Sequence, residues 1–192
     1  MRRFLLVAHD AHTAPDFSLE DLPGSGGRMD LVARCVTASL LVSHDVRQDA
    51  EFLAVLQGPP NPPRLLRLVG GEIRGLNPDE RSTAALIHKA LEEEGRAERA
   101  VRPGVYVSGT GLQEVLHEHH GPFVLLLEGS PDFRASAIPK DATFVLSDHR
   151  DFTPEEASSL MAASRLILSV GPRCLQSDQV ITVVHNELDR RG

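Results

Sequence analysis

Strand-length apolar runs separated by amphipathic helical stretches predict an α/β fold around a mostly parallel sheet, in one domain spanning residues 1–192. Three observations carry this. The apolar runs are continuous rather than alternating, as in strands covered on both faces; helical periodicity recurs between them; and Gly, Pro, Asp and Ser cluster at the junctions.

In chain order, "FLLVA" (4–8) is a short buried strand. A long Gly- and Pro-containing loop leads into "GRMDLVARCVTASLLVS", where Met29, Val32, Ala33, Val36 and Leu40 recur at helical spacing. "EFLAVL" (51–56) and "RLLRLVG" (64–70) read as strands. The "QGPPNPP" between them carries four prolines, which cannot lie inside a sheet, so the two do not form a tight hairpin. "NPDERSTAALIHKALEEEG" has Asn-Pro and acids at its start and Gly95 at its end, the signals of a helix. "RAERAVRPG" reads as a connection, "VYV" (105–107) as a strand and 110–119 as a helix. Three further strands are "FVLLL" (123–127), "TFVL" (143–146) and "LILS" (166–169). "TPEEASSLMAA" has a Thr cap, Pro in the first turn and Glu behind it; "SDQVITVVHNELDRR" closes the chain as a helix, with Ser177 as its expected cap.

Composition excludes several function classes. The chain has no Trp and one Tyr, so base-stacking platforms are not expected, and any nucleic-acid contact leans on arginine. Of the 20 cations all but Lys89 and Lys140 are Arg, yet the net charge is -7, which argues against a uniformly basic binder while leaving room for a local Arg cluster. "MRRFLLVAHDAH" is too short in apolar residues for a signal peptide or a membrane span, so a cytoplasmic protein without a membrane partner is expected. Cys35 and Cys174 stand far apart with no CxxC, and read as free thiols. "GSGGR" lacks the GK[ST] of a phosphate loop, and no GxGxxG follows a strand. "SHD" (43–45) reads as a helix end and "HEHH" (117–120) as a solvated helix end; neither implies a catalytic triad or a metal.

Ligands of such sheets bind beyond the carboxyl ends of the strands, which singles out "EGSPD" (128–132), "SDHRDF" (147–152) and "VGPRCLQSD" (170–178). Near the first helix, Asp30 and Arg34 lie one turn apart on the face opposite Met29 and Val36, with Arg28 at the helix mouth. An Asp between two arginines stays ionised, its pKa pushed down.

The stretches "DLPGSGGRMDLVARCV", "SHDVRQD", "GPPNPP", "NPDERS", "PGVYV", "SDHRDF" and "ITVVHNELD" resemble, in order and spacing, the archaeal tRNA pseudouridine-54 N1-methyltransferases of the SPOUT superfamily. The resemblance implies a C-terminal deep trefoil knot, a homodimer, a tRNA substrate, no metal, and S-adenosyl-L-methionine held by the three loops above. Carried over residue by residue, it places the cofactor against Leu125, Ser147, Val170, Gly171, Pro172, Arg173, Cys174, Leu175 and Val180. It gives Asp30 the role of proton acceptor for N1 of pseudouridine, and Arg28 that of holding phosphate or base, with the "GSGGR" glycines letting the backbone pass close to a flipped-out nucleotide. Arg34, Arg47, Arg74 and Arg81 are the expected RNA contacts. Two positions depart from the family pattern, Ser147 for a Gly and Val180 for a Cys. Two alternatives stay open at this point: the same chemistry on another RNA such as ribosomal RNA, and a non-catalytic homologue that binds the cofactor or RNA.

Overall fold

A computed structural model describes residues 1–118 and 121–192. The elements are β1 (Arg2–Ala8), α1 (Met29–Leu40), β2 (Leu41–Val42), β3 (Asp45–Val46), β4 (Ala50–Leu56), β5 (Arg64–Val69), α2 (Glu80–Ala90), β6 (Arg99–Arg102), β7 (Val105–Ser108), α3 (Leu112–Glu118), β8 (Phe123–Leu126), β9 (Thr143–Ser147), α4 (Pro154–Ala163), β10 (Ser164–Leu168) and α5 (Ser177–Arg191). Eight strands form one sheet in the order β10-β8-β9-β1-β4-β5-β7-β6. From β10 to β4 neighbours run parallel; from β4 to β6 they run antiparallel.

The parallel half is buried on both faces, and that explains its unbroken apolar runs. Successive side chains of a strand point to opposite faces. Phe4, Leu6 and Ala8 of β1 therefore join a cluster with Met29, Val36, Ile87, Ile181 and Val184 from α1, α2 and α5, while Leu5 and Val7 join Val115 and Leu160 from α3 and α4 on the other side. The result is a three-layer α/β/α arrangement.

Local signals act largely as the sequence predicts. Thr153 and Glu156 close a capping box at α4 with Pro154 in the first turn, and Asp79 caps α2 by accepting from the Ser82 amide at 2.8 Å. Three expectations are corrected. "SHD" does not end α1, which stops at Leu40; Ser43 and His44 make the turn between β2 and β3, with His44 at φ 68°. Residues 99–102, inside the expected connection, form the edge strand β6; its Arg-Ala-Val-Arg composition carries no buried-strand signal because most of it stays exposed. Ser177 does not cap α5: the cap is Gln176, whose amide donates to Gln179 Oε1, and the Ser177 hydroxyl donates instead to the Ser147 carbonyl at 2.7 Å, pinning α5 to the end of β9. The strands on either side of "QGPPNPP" do pair antiparallel, through a wide loop rather than a tight turn. Of "HEHH", His117 and Glu118 are exposed at the end of α3, and His119 and His120 lie outside the described residues.

Candidate active site

The carboxyl ends of β8, β9 and β10 meet the mouth of α1 and the turn before α5 around a cleft of ≈ 580 Å³, a volume typical of small-molecule sites. All three loops singled out in the sequence contribute to it. Their placement follows from the parallel strands, whose carboxyl ends share one edge of the sheet.

Most of the expected cofactor residues converge there: Ser147, Val170, Arg173, Cys174, Leu175 and Val180 all line the cleft. Leu125 does not. It is fully buried on the opposite face of β8, packed with Leu5, Val145 and Leu160, and the strand presents Leu126, Leu127 and Glu128 to the cleft instead. Gly171 and Pro172 also fall outside the lining; the Gly171 carbonyl accepts from Ser169 Oγ at 2.9 Å and so holds the turn. The Ser147 hydroxyl donates to the Arg150 carbonyl, so it is spent on closing its own loop. Leu31, Asp148 to Phe152, Ala157, Gln176 and Ser177 are lining residues that the sequence reading did not name individually.

At the mouth of α1, Arg28 adopts φ 69°, an uncommon conformation for a residue with a side chain. Arg28 lines the cleft whereas Asp30 does not; the Arg28 guanidinium grips Asp30 with two hydrogen bonds, Nε to Oδ1 at 3.0 Å and Nη2 to Oδ2 at 3.1 Å. Arg34 Nη1 reaches the same carboxylate at 2.9 Å. Asp30 is 5% exposed. Burial opposes its ionisation, but the hydrogen bonds from Arg28 and Arg34 outweigh that and hold the carboxyl below its usual range, as its position between two arginines requires.

The glycines before this helix have an intramolecular reason. Gly27 has φ +61°, and a Cβ there would lie 1.8 Å from the Asp10 carbonyl oxygen; one at Gly26 would lie 2.8 Å from the Leu22 carbonyl. The close approach that requires a bare Cα is thus to the protein's own backbone, where the sequence reading assigned it to a nucleotide.

The expected RNA contacts divide. Arg34 is 25% exposed among three carboxylates, Asp30, Glu80 at 3.6 Å and Asp178 at 3.8 Å, and Arg47 is paired with Asp189 at 2.8 Å. Arg74 and Arg81 are exposed; Arg81 is in the first turn of α2, 3.4 Å from Glu20. Both cysteines are free. Burial pushes the Cys35 thiol up, and a hydrogen bond to Glu128 raises that of Cys174, so neither is poised as a thiolate. Among the described residues, no group of three or more His, Cys, Asp or Glu is placed to hold a metal ion, and no helix is long and apolar enough to cross a membrane.

The donors and surfaces of the cleft fit S-adenosylmethionine. Leu126, Leu146, Val170 and Leu175 offer apolar surface to an adenine ring, and Leu175 is 36% exposed. Glu128 supplies carboxylate acceptors of the kind that bind ribose hydroxyls, and Arg28 and Arg173 supply cations for a carboxylate.

A family model described as "Putative SAM-dependent RNA methyltransferase" matches residues 1–192. Curated relatives named tRNA (pseudouridine(54)-N(1))-methyltransferase include those of Methanocella arvoryzae, 47% identical over all of both chains, and Halobacterium salinarum, 44% identical over all of this chain and 98% of that protein. Among solved structures, Archaeoglobus fulgidus Nep1 bound to S-adenosylhomocysteine superposes with a TM-score of 0.67 at 15% identity, covering 98% of this chain and 97% of that one.

Proposed function

Because the chain belongs to this family of SAM-dependent RNA methyltransferases, whose curated relatives modify pseudouridine 54, we propose that it methylates N1 of that pseudouridine in tRNA. The observation that carries the mechanism is the two-bond grip of Arg28, which lines the cleft, on Asp30, which is buried next to it outside the lining. S-adenosylmethionine, when bound, supplies an electrophilic methyl group carried on a sulfonium.

The chain's own residues do the rest. Leu126, Leu146, Val170, Leu175 and Val180 hold the ring, and Glu128 accepts from the ribose. Arg28 orients the target: Nη1, the guanidinium nitrogen not bonded to Asp30, holds the base or its phosphate, while Nε and Nη2 hold Asp30. Asp30 receives the N1 proton. Two arginines make it a weak base, but a carboxylate offers about four lone-pair directions, and the three guanidinium bonds leave one free. A fixed acceptor of this kind contributes typically 10²–10⁴-fold, and alignment of the reacting atoms contributes more. The exposed Arg74 and Arg81 contact tRNA phosphates, while Arg34 and Arg47 are already paired with carboxylates of the protein. A homodimer, the C-terminal knot and a cytoplasmic location belong to the same reading; light scattering that gives twice the mass of one chain supports the dimer.

Replacing Asp30 by Asn and Arg28 by Ala separately tests the assignment. Methyl transfer to a T-loop RNA containing pseudouridine should fall by about two orders of magnitude or more in each. S-adenosylhomocysteine affinity in Asp30→Asn should stay within a few-fold. Turnover unchanged in both variants removes the two residues from the mechanism.

A further inference from the structure

We propose that His9 is a positioning residue whose ring, clamped between Asp148 and Glu156, fixes the 147–152 wall of the cleft. The inference rests on the reading of that cleft as the cofactor site.

His9 is the first residue beyond β1, at the centre of the parallel sheet. Its Nδ1 lies 2.8 Å from Asp148 Oδ1, its Nε2 lies 3.0 Å from Glu156 Oε2, and its backbone amide donates to Asp148 Oδ2 at 2.8 Å. Asp148 is the first residue beyond β9, and Glu156 sits in the first turn of α4. One side chain thus ties together the two ends of the segment that supplies Ser147, His149, Arg150 and Phe152 to the cleft. Ionised carboxylates only accept hydrogen bonds, whereas a neutral imidazole has one donor and one acceptor. Both contacts can be satisfied together only when both ring nitrogens carry protons.

The charges facing the clamp are few. From the loop after β9, His149 Nδ1 lies 3.3 Å from Asp148 Oδ2, and its Nε2 lies 3.1 Å from Asp10, which also pairs with Arg150 at 2.9 Å. From the loop after β4, the neutral Gln57 amide donates to Glu156 at 2.8 Å, and the Thr153 amide donates to Glu156 at 2.9 Å. The Arg28 charge acts on Asp148 from the α1 side. The hydrogen bond to Asp148 outweighs the burial that disfavours a charged ring, and with the bond to Glu156 it raises the His9 pKa to about 9. The clamp is therefore closed through neutral pH and opens in alkali, and with it the wall loosens.

Two measurements on the full chain test this. Imidazole ¹⁵N spectra of ¹⁵N-histidine-labelled protein should show both His9 nitrogens protonated to pH 8 and titrating near 9; titration near 6.5 overturns the clamp. Calorimetry with S-adenosylhomocysteine should show affinity falling about tenfold or more between pH 8 and 10. In Glu156→Gln, which removes one acceptor charge, both the ring titration and the affinity break should move down by about one pH unit, with melting at pH 6.5 confirming a folded chain. The ligand's own ammonium group loses its proton in alkali too, so the difference between the two proteins is the readout. Affinity breaks that coincide in both proteins overturn the positioning role. A ring that titrates near 9 in a chain that binds no S-adenosylhomocysteine at any pH overturns the cofactor reading and leaves the clamp.

Discussion

At the residue scale, a side chain's role is set by which partners have already claimed it. Ser147 shows this: its hydroxyl, standing where the family pattern has a glycine, donates to the Arg150 carbonyl. Ser147→Gly should therefore change S-adenosylhomocysteine affinity by no more than about threefold by calorimetry, since only one exposed loop hydrogen bond, worth about 1 kcal/mol, is lost. Arg28 shows the opposite economy, holding a left-handed backbone conformation while its side chain bridges cleft and Asp30. Sparsely populated backbone geometry of this kind tends to persist where surrounding structure enforces it, and it concentrates at functional sites. What enforces it here is the Arg28 amide bonded to the Pro23 carbonyl and the Gly27 Cα pressed on Asp10.

At the element scale, that contact makes a sharp prediction. Gly27→Ala places a Cβ inside the Asp10 carbonyl and also penalises a positive φ, so the loop must move. A loss of about 3 kcal/mol or more, read as a melting temperature lower by roughly 6–12 °C for a domain of this size, is expected. Thr153→Ala, which opens the α4 capping box, should cost about 1 kcal/mol in urea unfolding. Elements were legible in the sequence wherever their signal is local. Thr153-Pro154 announces α4 through capping chemistry, Asn77-Pro78 announces α2 two residues ahead of its actual cap, Asp79, and β1, β4, β8 and β9 show as unbroken apolar runs. The edge strand β6 was hidden because an exposed strand needs no apolar pattern, and the face on which Leu125 lies was hidden because the alternation within "FVLLL" is uniformly apolar. The ligand loops were legible from strand order alone. The His9 clamp was not, since its partners lie 139 and 147 residues away and no local pattern joins them.

At the scale of the whole molecule, two histidines, His185 buried and His9 half-buried, set opposite limits on stability. His185, 2% exposed, stacks on Phe4 at 4.8 Å and donates from Nε2 to the Ser39 carbonyl at 2.9 Å, while Nδ1 faces Arg2. Burial, with Arg47 nearby, lowers its pKa to about 4. The unfolded chain then binds a proton that the native state refuses, so this contribution is present above about pH 6.5 and is lost as pH falls towards 4. His9 is the reverse case: its raised pKa gives stability that is full below about pH 6.5 and lost as pH climbs through 9. Each window is worth at most about 3 kcal/mol. Denaturant unfolding across pH 4.5 to 9.5 should give a maximum near pH 6.5, and His185→Gln should flatten the acid limb without moving the alkaline one.

The sheet order has a further consequence, for synthesis. β1 lies between β4 and β9, and its register with β9 joins Arg3 to Thr143. At ribosomal speeds of about 5–20 residues per second, one edge of this largely apolar strand stays unmatched for roughly ten seconds, until the last third of the polypeptide emerges. Such an edge invites wrong partners, and a pairing this distant in sequence closes slowly. Chaperone demand during translation should accordingly concentrate on the N-terminal strand, and release from it should coincide with the arrival of residues 143–147.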